Sequence, residues 1–196
     1  MTSSMKLCFV TVGATASFHL LLQAILDESF LVALREHEYT HLLVQYGKDS
    51  QTLFEESLSK LPSGNCGIEI NGFDFNHAGL DSEMRLAQAN SSEGRSGGLI
   101  ISHAGTGSIL GALRLGVPLV VVPNSTLKDN HQEELARELQ KQGYVVASKY
   151  QDLSTAVKRA EALPSRMLTW PPVNGIGQRR HRTLAQVVSD EMGFLD

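Results

Sequence analysis

The sequence is short of the residues and runs that mark several protein classes. Its 196 residues include two cysteines, Cys8 and Cys66, whose spacing matches neither a metal site nor a redox pair. No stretch approaches the roughly 20 apolar residues that cross a bilayer. Because 17 basic and 21 acidic residues give a net charge of −4, there is no electrostatic reason to expect nucleic-acid binding. We therefore expect a soluble, cytoplasmic protein with reduced cysteines, and any membrane attachment would depend on another chain.

Several motifs for nucleotide binding and catalysis are absent as well. The turn from Gly13 to Ser17 is not the G-x-G-x-x-G of dinucleotide folds, and it has no P-loop lysine. Without a G-x-S-x-G elbow, Ser108 is not predicted as a hydrolase nucleophile. Residues 37–41 do read H-E-x-x-H, but a zinc protease needs both histidines on one helix face. The β-rich run that begins at His41 indicates that the helix has ended, so no metal and no cofactor are predicted.

What the sequence does contain is an alternation of apolar strands and helices. Strands are predicted over 7–12, 41–46, 68–70, 119–122 and 145–147, with a further strand ending at Ser102; helices are predicted over 18–34, 51–61, 80–89, 132–142 and 153–163, with a further helix running to Gly116. This order predicts an α/β fold with a doubly wound, mainly parallel sheet. Ligands of such sheets bind beyond the carboxyl ends of the strands. We predict that Gly13, Gly47, Gly72 and Gly105 follow strands and lie at that edge, and that residues 90–98 form a flexible loop.

The chain divides into a Rossmann-like domain over residues 1–163 and a tail over residues 164–196. Three prolines and the only tryptophan lie between 164 and 177, which predicts a surface connection, and residues 183–192 are predicted to form a closing helix. The apolar stripe of that helix either packs on the same domain or docks on another chain. The basic run 178–182 is either a solvated face or a contact with acidic lipid headgroups or an acidic partner.

Two polar clusters follow predicted strands and open helices. In residues 103–108 a glycine-rich turn leads into a helix, so backbone N–H groups can approach an anion and the helix dipole adds positive charge. His103 either donates to a phosphate or holds the turn. In residues 129–132, Asp129 or Asn130 is a natural N-cap, while an amide beside an imidazole also suits sugar hydroxyls. Together the clusters predict a site for a phosphate and a sugar.

Taken together, these segments resemble glycosyltransferase family 28. The resemblance covers about residues 6–150 and rests on HAGTGS at 103–108 and DNHQ at 129–132, with further matches at 9–15, 45–48 and 72–75. The chain resembles the small cytosolic subunit of the two-subunit UDP-N-acetylglucosamine transferase of the dolichol-linked oligosaccharide pathway. It is also similar to the C-terminal, donor-binding domain of the bacterial transferase that makes the peptidoglycan lipid precursor. The resemblance implies one Rossmann-like half of a GT-B glycosyltransferase.

The resemblance also implies an activity. Such proteins transfer N-acetylglucosamine from UDP-N-acetylglucosamine to dolichyl-diphospho-N-acetylglucosamine, with inversion and a β1,4 link, in the second step of lipid-linked oligosaccharide assembly for N-glycosylation. The enzyme is active only with a membrane-anchored partner subunit that holds the lipid-linked acceptor and supplies the catalytic base. The resemblance further implies that this partner recruits the chain to the cytosolic face of the endoplasmic reticulum, and we expect the C-terminal helix of the present chain to dock on it.

Roles for individual residues follow from the same resemblance. The implied donor-site residues are Gly13, Ala14 and Thr15 at the diphosphate, Gly105, Thr106, Gly107 and Ser108 opposite them, Phe73 and Phe75 at the uracil through their backbone, and His131 and Gln132 at the sugar hydroxyls. His103 and Asn130 join the predicted site through the argument from the two polar clusters given above. One position departs from the pattern, because Gly111 stands where the resemblance implies an acidic residue that binds the ribose. This departure leaves a second interpretation open, a non-catalytic nucleotide-sugar-binding or scaffold paralogue.

Overall fold

A single parallel sheet organises the molecule. The computed structural model describes residues 4–13, 17–124 and 131–163, so the predictions made for Ala14, Thr15, Asn130 and the tail 164–196 lie outside the described residues. Within the described part, six strands pair in the order β3-β2-β1-β4-β5-β6, all in parallel. The strands are β1 (Leu7–Thr11), β2 (His41–Gln45), β3 (Glu69–Phe73), β4 (Leu99–Ser102), β5 (Leu119–Val121) and β6 (Val146–Ala147). The predicted doubly wound α/β sheet is confirmed, and its strand order reverses between β1 and β4, where such folds bind ligands.

Helices cover both faces of the sheet. They are α1 (His19–Ile25), α2 (Glu28–Glu36), α3 (Gln51–Ser59), α4 (Asp81–Arg85), α5 (Thr106–Leu115), α6 (His131–Lys141) and α7 (Leu153–Glu161), with 3-10 turns at Asn65–Gly67, Ser91–Glu93 and Tyr150–Asp152. Side chains of β1 alternate between the faces: Cys8 and Val10 pack with α1, α2 and α7, whereas Leu7 and Phe9 pack with α4, α5 and α6. Burial on both sides explains why the central strands β1, β4 and β5 are almost entirely apolar, as is typical of covered parallel sheets, whereas the edge strand β3 is largely exposed and more polar.

The predicted helix over 18–34 is wrong, because two helices occupy that stretch. The first ends at Ile25, and Asp27 adopts an extended backbone (φ −89°, ψ 143°) as the N-cap of α2. Its carboxylate accepts from the backbone N–H of Ser29 at 2.9 Å. Aspartate caps a helix start in this way because its side-chain oxygen replaces the missing intrahelical acceptor. The apolar periodicity continues through the break and therefore hides it.

Two further predictions need correction near β3. Gly72 does not follow the strand but lies within it, since β3 runs from Glu69 to Phe73 rather than over 68–70. A Cβ on Gly72 would be 2.5 Å from Cζ of Phe54, so the glycine makes room for a buried ring of α3. The helix predicted over 80–89 is also shorter, because α4 ends at Arg85.

The segment 90–98, predicted as a flexible loop, is held by hydrogen bonds. Asn90 and Arg95 exchange two backbone hydrogen bonds of 2.9 Å. The backbone of Met5 bonds to this turn as well, donating to Gly94 at 3.0 Å and accepting from Ser96 at 2.9 Å. Glycine and serine content predicts a loop, but it does not reveal that the start of the chain lies alongside it.

The H-E-x-x-H segment has the geometry that its β-rich end predicts. The helix α2 ends at Glu36, Glu38 has a left-handed backbone with φ 63°, and His41 opens β2. His37 and His41 therefore do not share a helix face. Among the residues that the structure describes, no group of three or more histidine, cysteine, aspartate or glutamate side chains could hold a metal ion.

Candidate functional site

Buried polar side chains end the central strands at their carboxyl edge. The hydroxyl of Thr11, at the end of β1, donates to Oε1 of Gln45, at the end of β2, at 2.7 Å. The amide nitrogen of Gln45 donates to the carbonyls of Asp74 at 2.8 Å and of Gly13 at 3.3 Å. Because Thr11 and Gln45 are 0% and 2% exposed, these two side chains are shielded from water, and their hydrogen bonds fix the turns that follow β1 and β3.

Neither Thr11 nor Gln45 is among the site residues predicted from the sequence. The available signal was a polar residue in the last position of an otherwise apolar strand, in LCFVT and in HLLVQ. A buried polar group needs a hydrogen-bond partner, so each of these residues pointed to a partner that only the pairing of β1 with β2 supplies.

The turn after β1 begins at a glycine with a left-handed backbone. Gly13 has φ 91°, a region that L side chains rarely adopt, and its N–H donates to the hydroxyl of Thr11 at 3.3 Å. The turn after β2 lies beside it, since a Cβ on Gly47 would be 3.6 Å from the carbonyl oxygen of Gly13. The glycines after β1 and β2 thus meet at the predicted edge.

The ring of His103 lies between the glycines that follow β1 and β4. A Cβ on Gly13 would be 2.6 Å from Nε2 of His103, and one on Gly105 would be 2.8 Å from Cε1. Within the described residues Nδ1 of His103 is buried without a hydrogen-bond partner. Burial lowers the pKa of this imidazole below its ordinary value, and the backbone carbonyl of Thr11 offsets the effect only in part. The ring is therefore neutral at pH 7, and its predicted contact with a phosphate stays a prediction.

The helix after β4 presents an open N-terminus at this edge. Gly105 is the N-cap of α5, and the described residues supply neither a side-chain cap nor an acidic residue in the first turn. Among the residues that the structure describes, nothing lies within 4 Å of the place that a Cβ on Gly107 would occupy, so that part of the structure leaves space above this turn. Uncapped N–H groups and the positive end of a helix favour an anion. The predicted segment 105–108 is thus placed as an anion site requires.

The segment after β3 lies against the turn that follows β2. The N–H of Tyr46 donates to the carbonyl of Phe73 at 3.0 Å, and that of Gly47 donates to Asp74 at 3.1 Å. The ammonium of Lys48 is 4.9 Å from the ring centroid of Phe75. Both phenylalanines predicted at the uracil are therefore at the same edge as Gly13.

The start of α6 is tied to the end of β5. Oε1 of Gln132 accepts from the N–H of Asn124 at 2.9 Å, and the side-chain amide of Asn124 reaches the carbonyl of Ser17 at 3.5 Å. His131 is exposed at the first position of α6. His131 and Gln132, which are predicted to bind the sugar, thus lie next to the segment that enters α1. The side-chain oxygen of Gln132 already accepts a hydrogen bond from the backbone.

The chain matches one family model over most of its length. The model of the glycosyltransferase family 28 C-terminal domain matches residues 7–163. The chain belongs to this family. A UDP-N-acetylglucosamine transferase subunit ALG13 from Saccharomyces cerevisiae is 33% identical over 163 residues, which cover 71% of this chain and 76% of the relative. The protein of the same name from Cryptococcus neoformans is 34% identical over 199 residues, which cover 94% of this chain and 96% of the relative.

Solved structures of family 28 and related transferases have the same fold. An NMR solution structure of ALG13 has a TM-score of 0.58 at 30% identity and covers 81% of this chain and 84% of that one. MurG of Acinetobacter baumannii has a TM-score of 0.53 at 19% identity, and the match covers 83% of this chain but 44% of MurG. The Rossmann-like fold of one half of a GT-B glycosyltransferase, implied by the resemblance, is confirmed. In the part that the structure describes, none of the helices combines the length and the apolarity of a membrane span.

Proposed function

We propose that this chain is the donor-binding subunit of a two-subunit N-acetylglucosaminyltransferase. It takes N-acetylglucosamine from UDP-N-acetylglucosamine to dolichyl-diphospho-N-acetylglucosamine, with inversion and a new β1,4 bond, in the second step of lipid-linked oligosaccharide assembly. The observation that carries this proposal is the position of His103, which holds the Gly13 turn next to the uncapped start of α5. The relatives are named as a subunit of a UDP-N-acetylglucosamine transferase, which supports the choice of donor.

The donor diphosphate lies, in this proposal, between the Gly13 turn and the start of α5. The N–H groups of residues 105–108 and the positive end of α5 offset its negative charge. Beside the diphosphate, Phe73 and Phe75 take the uracil through their backbone. The remaining proposed contacts are those of Ala14 and Thr15 with the diphosphate and those of Asn130, His131 and Gln132 with the sugar hydroxyls.

The chemistry that this chain contributes is stabilisation of the leaving group. A hydroxyl of the acceptor sugar attacks the anomeric carbon while the bond from that carbon to the diphosphate oxygen breaks, so negative charge grows on UDP. Backbone N–H groups that are already aimed at this charge lower the barrier, because they need no reorganisation during the reaction. The base that takes the hydroxyl proton belongs, in the proposal, to the partner subunit, and no metal ion or cofactor takes part.

The acceptor half of the site belongs, in the proposal, to a membrane-anchored partner at the cytosolic face of the endoplasmic reticulum. Residues 1–163 form the donor domain, and the helix predicted over 183–192, which lies outside the described residues, docks on that partner. The name of the relatives supports a second chain, since each is called a subunit of the transferase. A complete cleft would then require both chains.

The test is reconstitution with the matching membrane subunit. Purified chain, the membrane subunit, UDP-N-acetylglucosamine and dolichyl-diphospho-N-acetylglucosamine should together yield a lipid-linked β1,4 disaccharide, whereas either chain alone should not. The Saccharomyces cerevisiae relative, assayed with its own membrane subunit, controls for the lipid substrate. No product beside an active control would contradict the proposal.

Gly111 favours a second candidate function, a nucleotide-sugar-binding protein without catalysis. Glycine has no carboxylate, so position 111 cannot contribute the ribose contact that the resemblance implies for an acidic residue there. Calorimetric titration with UDP-N-acetylglucosamine, read together with the transfer assay of the reconstituted complex, separates the two candidates. Binding without transfer in the reconstituted complex would favour the scaffold, whereas binding with transfer would favour the enzyme.

A further inference from the structure

A close approach of α4 to α5 depends on a glycine inside a helix. Gly111 lies in the interior of α5, where glycine is disfavoured because it loses more backbone freedom than other residues do. A Cβ at this position would be 3.1 Å from Sδ of Met84 and 3.9 Å from Oδ1 of Asp81. Met84 is 2% exposed, so it fills this contact as part of the core. The tight contact with Met84 therefore needs the missing Cβ, and the carboxylate of Asp81 lies within van der Waals distance of the same position on α5.

The carboxylate of Asp81 has no partner in the part of the chain that the structure describes. Asp81 is exposed, and its side chain takes part in no hydrogen bond or ion pair among those residues. The other acid of α4 differs, because Glu83 accepts from the side-chain amide of Asn76 at 2.9 Å and from the hydroxyl of Ser82 at 2.8 Å. One carboxylate of this helix is thus tied to its neighbours, and the other is available to a ligand.

The helix that carries Asp81 contacts two parts of the proposed donor site. Gly111 is five residues after Thr106, or about 7.5 Å along α5 from the start of the helix at 1.5 Å per residue. Gly107 precedes Gly111 by one turn on the same helix face, and the described residues leave the space above Gly107 open. In the other direction, α4 is tied to the segment that contains Phe73 and Phe75, because the side-chain amide of Asn76 donates to Oε1 of Glu83 at 2.9 Å. The helix that carries Asp81 therefore contacts both α5, where the diphosphate site is proposed, and the segment of the proposed uracil site.

In a nucleotide, the group between the diphosphate and the base is the ribose. Its two neighbouring hydroxyls donate hydrogen bonds, and a carboxylate accepts both, an interaction strengthened by its charge. We infer that Asp81 binds the ribose hydroxyls of the uridine nucleotide and gives the site its selectivity for a ribonucleotide. This inference rests on the proposed function, and it assigns the ribose contact to α4 rather than to α5.

The experiment compares UDP with 2′,3′-dideoxy-UDP by calorimetric titration of the full chain. The wild-type protein should bind UDP at least about tenfold more tightly, the ratio that one charge-assisted hydrogen bond supplies. In Asp81→Asn the affinity for UDP should fall by a similar factor, while that for the dideoxy compound stays the same. The selectivity is a readout that a merely structural role would not change.

Glu83→Gln is the matched control, since it removes a charge from the same helix. We expect this variant to keep the wild-type selectivity. Because Asp81 is exposed, the melting temperature of Asp81→Asn should equal that of the wild type, and Asp81→Ala should show the same loss of selectivity. Selectivity that survives in both Asp81 variants, or its absence in a wild type that binds UDP, would overturn the assignment. A wild type that does not bind UDP would instead contradict the proposed function.

Discussion

The imidazole of His103 occupies the space that a side chain on Gly13 would need. A Cβ on that glycine would be 2.6 Å from Nε2, and a Cβ on Gly105 would meet the same end of the ring, with Nε2 nearest and Cε1 at 2.8 Å. Gly13 follows β1, and Gly105 caps α5. A single side chain thus sets the distance between the two turns that form the proposed diphosphate site, and the two glycines are needed for it to fit.

Gly105→Ala should destabilise the protein through His103 alone. Gly105 has φ −70°, which alanine adopts without strain, so its cost comes from the contact with the ring. Overpacking of this kind costs about 1–3 kcal/mol. His103→Ala removes the ring, so the double variant should be more stable than the sum of the two single effects predicts, by about 0.5–3 kcal/mol. Urea unfolding of the four proteins measures this coupling.

Gly107→Ala is the control for that cycle. The described residues leave the space above Gly107 open, and alanine favours a helix. This variant should therefore lose no stability, either in the wild-type protein or in His103→Ala. Additive effects of Gly105→Ala and His103→Ala would show that the ring does not lie where the structure places it.

Acidification should destabilise the fold through His103. Burial holds the pKa of this imidazole below its ordinary value of about 6.5. The unfolded chain therefore takes up a proton at a pH where the folded protein does not, so the free energy of unfolding falls as the pH drops below about 6.5. Below the folded-state pKa both states carry the proton, and the decrease from this residue ends.

Urea unfolding between about pH 8 and about pH 5.5 measures this dependence. In His103→Gln, which cannot titrate, the free energy of unfolding should fall less over the range than it does in the wild type. Every pH-dependent contribution that the two proteins share cancels in the comparison. Equal slopes would mean that His103 is protonated as readily in the folded protein as in the unfolded chain.

Much of the fold could be predicted because most strands are short apolar runs that end at a polar or glycine cluster, whereas β3 (EINGF) is not, and its bounds were predicted wrongly. Residues 99–121 illustrate the predictable case, since β4, its turn, α5 and β5 follow one another with little between them. The break at Asp27 could not be found in this way. Its signal is one capping hydrogen bond to Ser29, and the apolar period continues on both sides.

The candidate site was predictable where local composition carries the geometry. His103, Gly105 and Gly107 lie in one turn, and a glycine-rich turn before a helix indicates an anion site without any knowledge of the sheet. Thr11 and Gln45 are 34 positions apart and meet only when β1 pairs with β2. Asp81 likewise reaches α5 through a contact between helices that no local pattern contains.

Thr11→Val should weaken both the fold and donor binding. Valine keeps the shape of threonine, but it leaves Oε1 of Gln45 and the N–H of Gly13 without the hydroxyl that each now contacts, at 2.7 Å and 3.3 Å. Buried groups that lose a partner cost about 1–3 kcal/mol. Because the hydroxyl also holds the Gly13 turn, the affinity for UDP should fall. Urea unfolding and calorimetric titration give the two quantities.

The control is Thr52→Val, the same substitution at an exposed position of α3. It should leave both the stability and the affinity within error of the wild type. A loss of stability in Thr11→Val with unchanged UDP binding would separate this network from the site.

Tyr39→Phe should weaken the fold and leave donor binding intact. Tyr39 is 1% exposed, and its hydroxyl donates to Oε1 of Glu161 at 2.6 Å, while Nζ of Lys6 is 3.0 Å from the same oxygen. Burial raises the pKa of Tyr39, so its hydroxyl keeps the proton that it donates. Loss of a hydrogen bond to a charged group costs about 1.5–3 kcal/mol. Urea unfolding should show that loss.

The position of the cluster formed by Lys6, Tyr39 and Glu161 explains why UDP affinity should not change. Lys6 precedes β1 and Glu161 ends α7, so the cluster closes the amino-terminal edge of the sheet, opposite the turns that follow the strands. Tyr150→Phe is the matched control, because the hydroxyl of Tyr150 makes no hydrogen bond within the described residues. An equal loss of UDP affinity in Tyr39→Phe and in Thr11→Val would mean that the two edges of the sheet are coupled through β1. The hydrogen bonds of Thr11 and Gln45 could then no longer be regarded as a local support of the donor site.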